Sequence, residues 1–469
     1  MKIPAFLITF LFLLLAWPAQ AALPSEVLRA LQSGGIPEDA VSVYVQRVDG
    51  DFPVLAQRDE RSMNPASVMK LLTTYAGLEL LGPAYTWRTE LYAATPPVDG
   101  VLHGDLILKG YGDPTLTQEK FWSLIHGLRV EGVREIRGDL VLDRSFFETS
   151  EFDPGAFDGD PYRPYNSGPD ALLVNFKSTS FHLRPEVSGV VIKADPDLPH
   201  LKVVNRLKPT GGSCMNWKDR LAYDVRQDKE GWVVSFNGSY ASSCADKTLD
   251  LSLPAHPEYI FQLFKTLWRE QGGIFHGKLR EGSVPPGAVL LTQAFSPPLA
   301  DVVRQINKYS NNLMARQLLI TLGAERGGAP GNAAKGAEAI RAWLAANGMA
   351  FPELVIENGS GLSRIERISA RHLGELLRTA YGSPFMPELM SSLPLIAVDG
   401  TLKRRTQVSA LAGRAHLKSG SLDDVRAIAG YLLDEQGRRW VVVMMVNHPY
   451  AAASKPAQDA LLEWVYHQD

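Results

Sequence analysis

A strand-rich stretch over 91–253 lies between two stretches of mixed helix and strand, and this interruption constrains the fold more than any other feature of the chain. Short apolar segments such as Leu106-Ile107-Leu108, Leu140-Val141-Leu142, Gly189-Val190-Val191-Ile192 and Trp232-Val233-Val234 are separated there by Gly, Pro, Asp and Asn, the pattern of short strands joined by turns. A Pro/Gly/Asp-rich loop is expected over 154–169. Before the stretch, 41–45 reads as a strand and 66–81 as a helix, opened by Asn64-Pro65 and closed by Gly82-Pro83. After it, helical spacing returns near 259–271, 298–322, 334–347 and 370–381. Strands at 414–418, 426–433 and 439–447 follow, then a helix over 451–466. An insertion into a single α/β domain produces this order, and 469 residues give length for about two to four domains.

The N-terminus stands apart. Met1-Lys2-Ile3-Pro4 is a short basic start, and 5–17 is apolar apart from Thr9, shorter than the roughly 20 residues that span a bilayer. Pro18 ends the run and Ala19-Gln20-Ala21 supplies small residues for cleavage, so 1–21 is expected to be a secretory signal, with a mature chain from Ala22. Export to an oxidising compartment would let the two cysteines, Cys214 and Cys244, pair. With 48 basic against 51 acidic residues and a net charge of -3, no whole-protein field favours nucleic acid or an anionic membrane, and membrane contact is expected to be peripheral at most.

Several chemistries drop out on spacing. The ten histidines come no closer in sequence than His182 and His200, and two cysteines cannot build a four-cysteine site, so no metal is expected. The nearest approach to a phosphate-binding loop, Gly272 to Lys278, is followed by Leu279, and no G-x-S-x-G elbow occurs. Three short motifs remain. Ser67-Val68-Met69-Lys70 opens the 66–81 helix, and a spacing of three sets a hydroxyl and an amine on one helix face, where a partly neutral lysine could take the serine proton. The helix start adds unpaired amides for an oxyanion. Ser310-Asn311-Asn312 could relay a proton and hold an amide, although Ser62-Met63-Asn64 and Ser235-Phe236-Asn237 share the pattern. Lys418-Ser419-Gly420-Ser421, at a strand end, offers a cation, hydroxyls for a carboxylate and close backbone approach at glycine. Each motif alone reads equally well as an ordinary helix surface, polar turn or strand end.

In the order S-x-x-K, S-x-N, K-[ST]-G, the three together resemble the signature of penicillin-binding serine D,D-peptidases. The long interval from Ser67 to Ser310 resembles the D-alanyl-D-alanine carboxypeptidase/endopeptidase family of the penicillin-binding-protein-4 type, peptidase family S13, in which an insertion separates the first two motifs. Gly112-Asp113-Pro114-Thr115-Leu116, Asn358-Gly359-Ser360-Gly361-Leu362-Ser363-Arg364 and Val398-Asp399-Gly400-Thr401-Leu402 are further family-like phrases. The resemblance implies a multidomain α/β fold: a β-lactamase-like transpeptidase domain, an antiparallel sheet flanked by helices, over 22–92 and 285–469. A strand-rich insertion over 93–284, in one or two further domains, would hold both cysteines.

The resemblance also implies roles. Ser67 would attack the D-Ala carbonyl, Lys70 act as base, Ser310 pass the proton to the leaving amine with Lys418 beside it, and Asn312 hold the acyl-side amide. Ser419, Gly420 and Ser421 would bind the substrate, the hydroxyls of Ser419 and Ser421 holding its terminal carboxylate and the amides of Ser67 and Ser421 forming the oxyanion hole. Relatives of this type use an inserted-domain aspartate for the amino end of diaminopimelate, for which Asp160 is the positional match and Asp158 the neighbour. Ser419 stands where threonine is commoner. The expected partners are peptidoglycan stem peptides and, as covalent inhibitors, β-lactams, in the periplasm and without a cofactor. A β-lactamase or esterase on the same fold, or a non-catalytic wall-binding protein, are the alternatives.

Overall fold

The computed structural model describes residues 22–149, 151–405 and 409–468; the expected signal at 1–21 lies outside the described residues. Among them, no helix is long and apolar enough to cross a membrane. A five-stranded antiparallel sheet carries the site, in the order Ala415–Leu422, Val425–Leu433, Arg439–Asn447, Val41–Arg47 and Leu55–Gln57. Its strands are apolar on both faces, so helices must cover both. Alternate residues divide between two cores, as a period of two requires. Val441, Val443 and Met445 pack with the Lys70–Leu81 helix and its neighbours. Val442, Met444 and Val446 pack beneath Ser25–Ser33 and Lys455–Tyr466.

Helix Lys70–Leu81 is buried at every position from Lys70 to Leu78, which makes it a core helix and not an amphipathic surface one. The helix expected over 66–81 begins instead with a 3-10 turn, Ala66–Met69. Ala66 takes φ +47, and Asn64 Oδ1 accepts its amide at 2.9 Å. The segment expected as one helix over 298–322 is two, Leu299–Tyr309 and Asn312–Gly327. Ser310 at φ 57 ends the first and the Asn311 side chain caps the second by accepting from Met314 N, the stop and start that a polar triplet favours. The last helix likewise opens with a 3-10 turn, Ala451–Ser454.

The strand-rich stretch forms two cores. One lies around a mixed sheet of Leu279–Glu281, Leu140–Asp143, Leu106–Gly110, Arg88–Ala93 and Val289–Phe295. Helices Gln118–Val130 and His256–Glu270 cover it. The first of these helices lies within the strand-rich stretch, where the sequence reading singles out no helix: Phe121, Leu124, Ile125 and Leu128 are its buried residues, a helical spacing embedded among strand signals. The other core joins two three-stranded sheets and contains Phe181, Phe236, Tyr240 and Cys244, with Cys214 packed against it. Cys214 and Cys244 are disulfide-bonded.

Strand Val289–Phe295 pairs with Arg88–Ala93, so hydrogen bonding of the inserted region runs beyond the 93–284 expected, to Arg88 on one side and Phe295 on the other. At the crossing, Ser296 N donates to Trp87 O at 2.9 Å and Trp87 N to Ser296 Oγ at 3.0 Å. We therefore propose Trp87 and Ser296 as the seams, with two subdomains between them. Replacing both cysteines by serine removes a link between positions 30 apart, for which chain entropy gives at most about 3–4 kcal/mol. In hydrogen exchange, the amides of the two three-stranded sheets should lose protection while those of the five-stranded sheet keep theirs.

Candidate active site

Ser67 sits in the 3-10 turn that opens the central helix, pressed between two backbone segments that only glycine permits. A Cβ on Gly420 would lie 2.6 Å from Pro65 O and 3.0 Å from Ser67 N, and one on Gly361, at φ +79, would overlap Ala66 O. Three elements distant in sequence thus meet at the hydroxyl: the turn, the Ala415–Leu422 strand and the 358–364 loop. The strand is the outermost of its sheet; the 394–396 segment pairs with its first half, and an extended peptide can pair along the part beyond it, toward Ser421. Ser421 is exposed there, next to buried Gly420.

Lys70 is fully buried. Its Nζ donates to Ser67 Oγ at 3.1 Å, to Asn312 Oδ1 at 2.6 Å and to Ser360 O. Burial first, and then the positive charge of Lys418, holds the Lys70 ammonium well below its ordinary value; Arg316 acts in the same sense and Glu366 against it. Lys418, also fully buried, donates to Ser310 Oγ at 2.9 Å and to Ser419 O at 2.8 Å. Burial lowers it to about 7. The left-handed turn at Ser310 places its hydroxyl beside this amine, and the helix that follows starts at Asn312. The hydroxyls of Ser419 and Thr401 lie 3.2 Å apart. A hydroxyl in contact with an amine that readily loses its proton is suited to nucleophilic attack, and a second hydroxyl–amine couple nearby is suited to proton return.

Asp160 lines a cavity of ≈ 1040 Å³ that also contains Ser310 and Asn312. Its carboxylate accepts from Arg163 Nε at 2.7 Å and Tyr223 Oη at 3.1 Å. Asp158 accepts instead from Tyr165 Oη at 2.8 Å and Asn166 Nδ2 at 2.7 Å. Neither acid touches the lysines. Among the described residues, no group of three His, Cys, Asp or Glu side chains could hold a metal. Sequence reasoning assigned no part to Ser360, Gly361, Arg316 or Glu366. The Asn358–Arg364 phrase was the available signal, but a carbonyl that receives a lysine leaves no mark on residue type.

A family model described as the D-Ala-D-Ala carboxypeptidase 3 (S13) family matches residues 23–468. The chain is 29% identical over 427 residues to a D-alanyl-D-alanine carboxypeptidase of Actinomadura sp. (strain R39), covering 86% of this chain and 78% of that protein. It is 26% identical to the D-alanyl-D-alanine carboxypeptidase DacB of Haemophilus influenzae, covering 82% and 80%. The crystal structure of penicillin binding protein 4 (dacB) from Haemophilus influenzae superposes with a TM-score of 0.79 at 24% identity, covering 94% of this chain and 99% of that one.

The contact at Gly361 gives a direct check. Gly361→Ala must push the loop off the Ala66 carbonyl and shift Ser67, and misplacing a nucleophile by about 1 Å costs roughly 100-fold. Labelling of the protein by a fluorescent penicillin should slow by about that factor, with an unchanged circular dichroism spectrum.

Proposed function

The chain belongs to the D-Ala-D-Ala carboxypeptidase 3 (S13) family, and from that premise we propose that it is a serine D,D-peptidase cleaving D-Ala-D-Ala and D-Ala–diaminopimelate bonds of peptidoglycan. The observation that carries this reading is the fully buried Lys70 amine within 3.1 Å of Ser67 Oγ. As a neutral amine, Lys70 takes the hydroxyl proton while Ser67 Oγ bonds to the D-Ala carbonyl carbon. The carbonyl electrons move onto oxygen, which the amides of Ser67 and Ser421 receive. Ser310 then relays the proton held by Lys70 to the departing amine, with Lys418 at its hydroxyl to tune that relay electrostatically, and the C–N bond breaks to leave the acyl-enzyme. Asn312 holds the acyl-side amide, and Ser419 and Ser421 hold the terminal carboxylate.

Water releases the acyl group and restores Ser67. Among the described residues no carboxylate contacts Ser67 Oγ to drive that water onto a trapped β-lactam, so the penicilloyl adduct is long-lived and β-lactams are covalent inhibitors. Asp160 is assigned to the amino end of diaminopimelate, which must share the carboxylate with Arg163. An enzyme of this kind works in the periplasm after loss of 1–21.

Intact-mass spectrometry after penicillin exposure should give one adduct, on Ser67, lasting far longer than a catalytic cycle, with none in Ser67→Ala. Rapid turnover without accumulation would identify a β-lactamase instead. Asp160→Asn should lower kcat/KM for diaminopimelate peptides by about tenfold, the worth of one charge-assisted hydrogen bond, and leave penicillin labelling unaltered.

A further inference from the structure

Two charged side chains behind the site take no part in the steps above. Glu366 is fully buried. Its Oε1 accepts three consecutive backbone amides, Glu357 at 3.2 Å, Asn358 at 3.0 Å and Gly359 at 2.8 Å. Those bonds fix the loop whose next residue, Ser360, offers its carbonyl to Lys70. Thr73 Oγ1 clamps the same loop from the central helix by donating to Gly359 O at 2.7 Å. The other carboxylate oxygen, Oε2, is buried without a hydrogen-bond partner; burial pushes the Glu366 carboxyl above its ordinary value, while the three amides and the charge of Lys70 act against that.

Arg316 is 6% exposed and stands one helical turn after Asn312, on the same face. Its Nη1 donates to Ser167 O at 3.1 Å, while Nε has no partner. Three charged groups on three elements therefore act on Lys70: Lys418 from the sheet edge, Arg316 from the Asn312–Gly327 helix and Glu366 from the loop. Its remaining neighbours, Ser67, Asn312 and the Ser360 carbonyl, are neutral. With Lys70 protonated, the buried group would hold three cations against the one carboxylate. The arrangement is thus poised between two opposing charges that lie outside the reacting atoms.

We propose that Glu366 and Arg316 are opposed positioning residues for the base: the carboxylate holds the Ser360 carbonyl on Lys70 and favours the ammonium there, while the guanidinium favours the amine. Neither touches substrate; both act through Lys70. The proposal rests on Ser67 being the acylated residue and adds what sets the pH at which it becomes reactive.

The sign of each effect is fixed by charge alone. The full chain is acylated by fluorescent penicillin across pH 4–10, and the acid limb of the second-order rate reads the deprotonation of the coupled Lys70 and Lys418 amines. Glu366→Gln should move that limb to lower pH and Arg316→Gln to higher pH, each by about one unit. The double variant should return toward the parent. Glu366→Asp and Arg316→Lys keep the charge and should keep the limb in place, whatever happens to the plateau rate. If a glutamine variant fails to fold, as thermal unfolding will show, the remaining glutamine variant against its charge-keeping counterpart still reads the sign. Limbs that stay put, or that move in the same direction in both glutamine variants, would overturn the proposal while leaving the peptidase reading intact. A parent protein that forms no adduct would overturn that reading and this one with it.

Discussion

Two lysine amines kept out of water within one site set the terms for the rest of the molecule. Removing an ammonium from solvent costs several kcal/mol unless partners compensate, and here Lys70 and Lys418 are received by hydroxyl, amide and carbonyl oxygens. Such partners carry no full negative charge to lock the ammonium in place, so burial can still favour the neutral amine. Delivering two amines to one place requires two elements that cannot move apart. One is the central helix, buried over Lys70–Leu78; the other is the edge strand, joined to the sheet in register from Ala415 to Leu422. They are brought together by glycine: without a side chain at Gly420 the strand backbone reaches the turn that holds Ser67.

The parts of this site that are chemistry in their own right were legible in the amino-acid sequence. Ser67, Lys70, Ser310, Asn312 and Lys418 are short-range motifs, and the strand and helix periods around them follow from which faces are buried. The parts that act through backbone were not. Ser360 receives Lys70 across 290 positions of chain through its carbonyl oxygen, a group every residue carries, and Glu366 acts by gathering amides that every residue but proline also carries. Asn312 was read as a substrate ligand alone, yet its oxygen also holds Lys70, a partnership that exists only after two helices have packed. Asp160 was read from position in a loop, which says nothing of the Arg163 and Tyr223 side chains that converge on it.

The same limit explains the differences in secondary structure. Burial patterns locate the Lys70–Leu81 helix, but its 3-10 opening depends on Asn64 pinning the amide of Ala66 and on Gly361 crowding the same turn. The break at Ser310 places a hydroxyl beside Lys418, so what looks locally like a poor helix residue is where a tertiary contact overrides propensity. The Gln118–Val130 helix was hidden by its surroundings, because a short helix within a mixed sheet shares its apolar residues with strands.

The hydrogen bonds between Trp87 and Ser296 reach beyond the fold itself. Chain entering the inserted region and chain leaving it are neighbours on one sheet, so that region behaves as a detachable loop whose ends already touch. The entropy of closing a loop rises only slowly with its length, so just over two hundred residues can be hung there at little more thermodynamic cost than a short turn. The crossing is a socket: the half that holds Ser67 and Lys70 is closed beneath it, and what is carried above it can change in size or surface while the sheet below keeps its register.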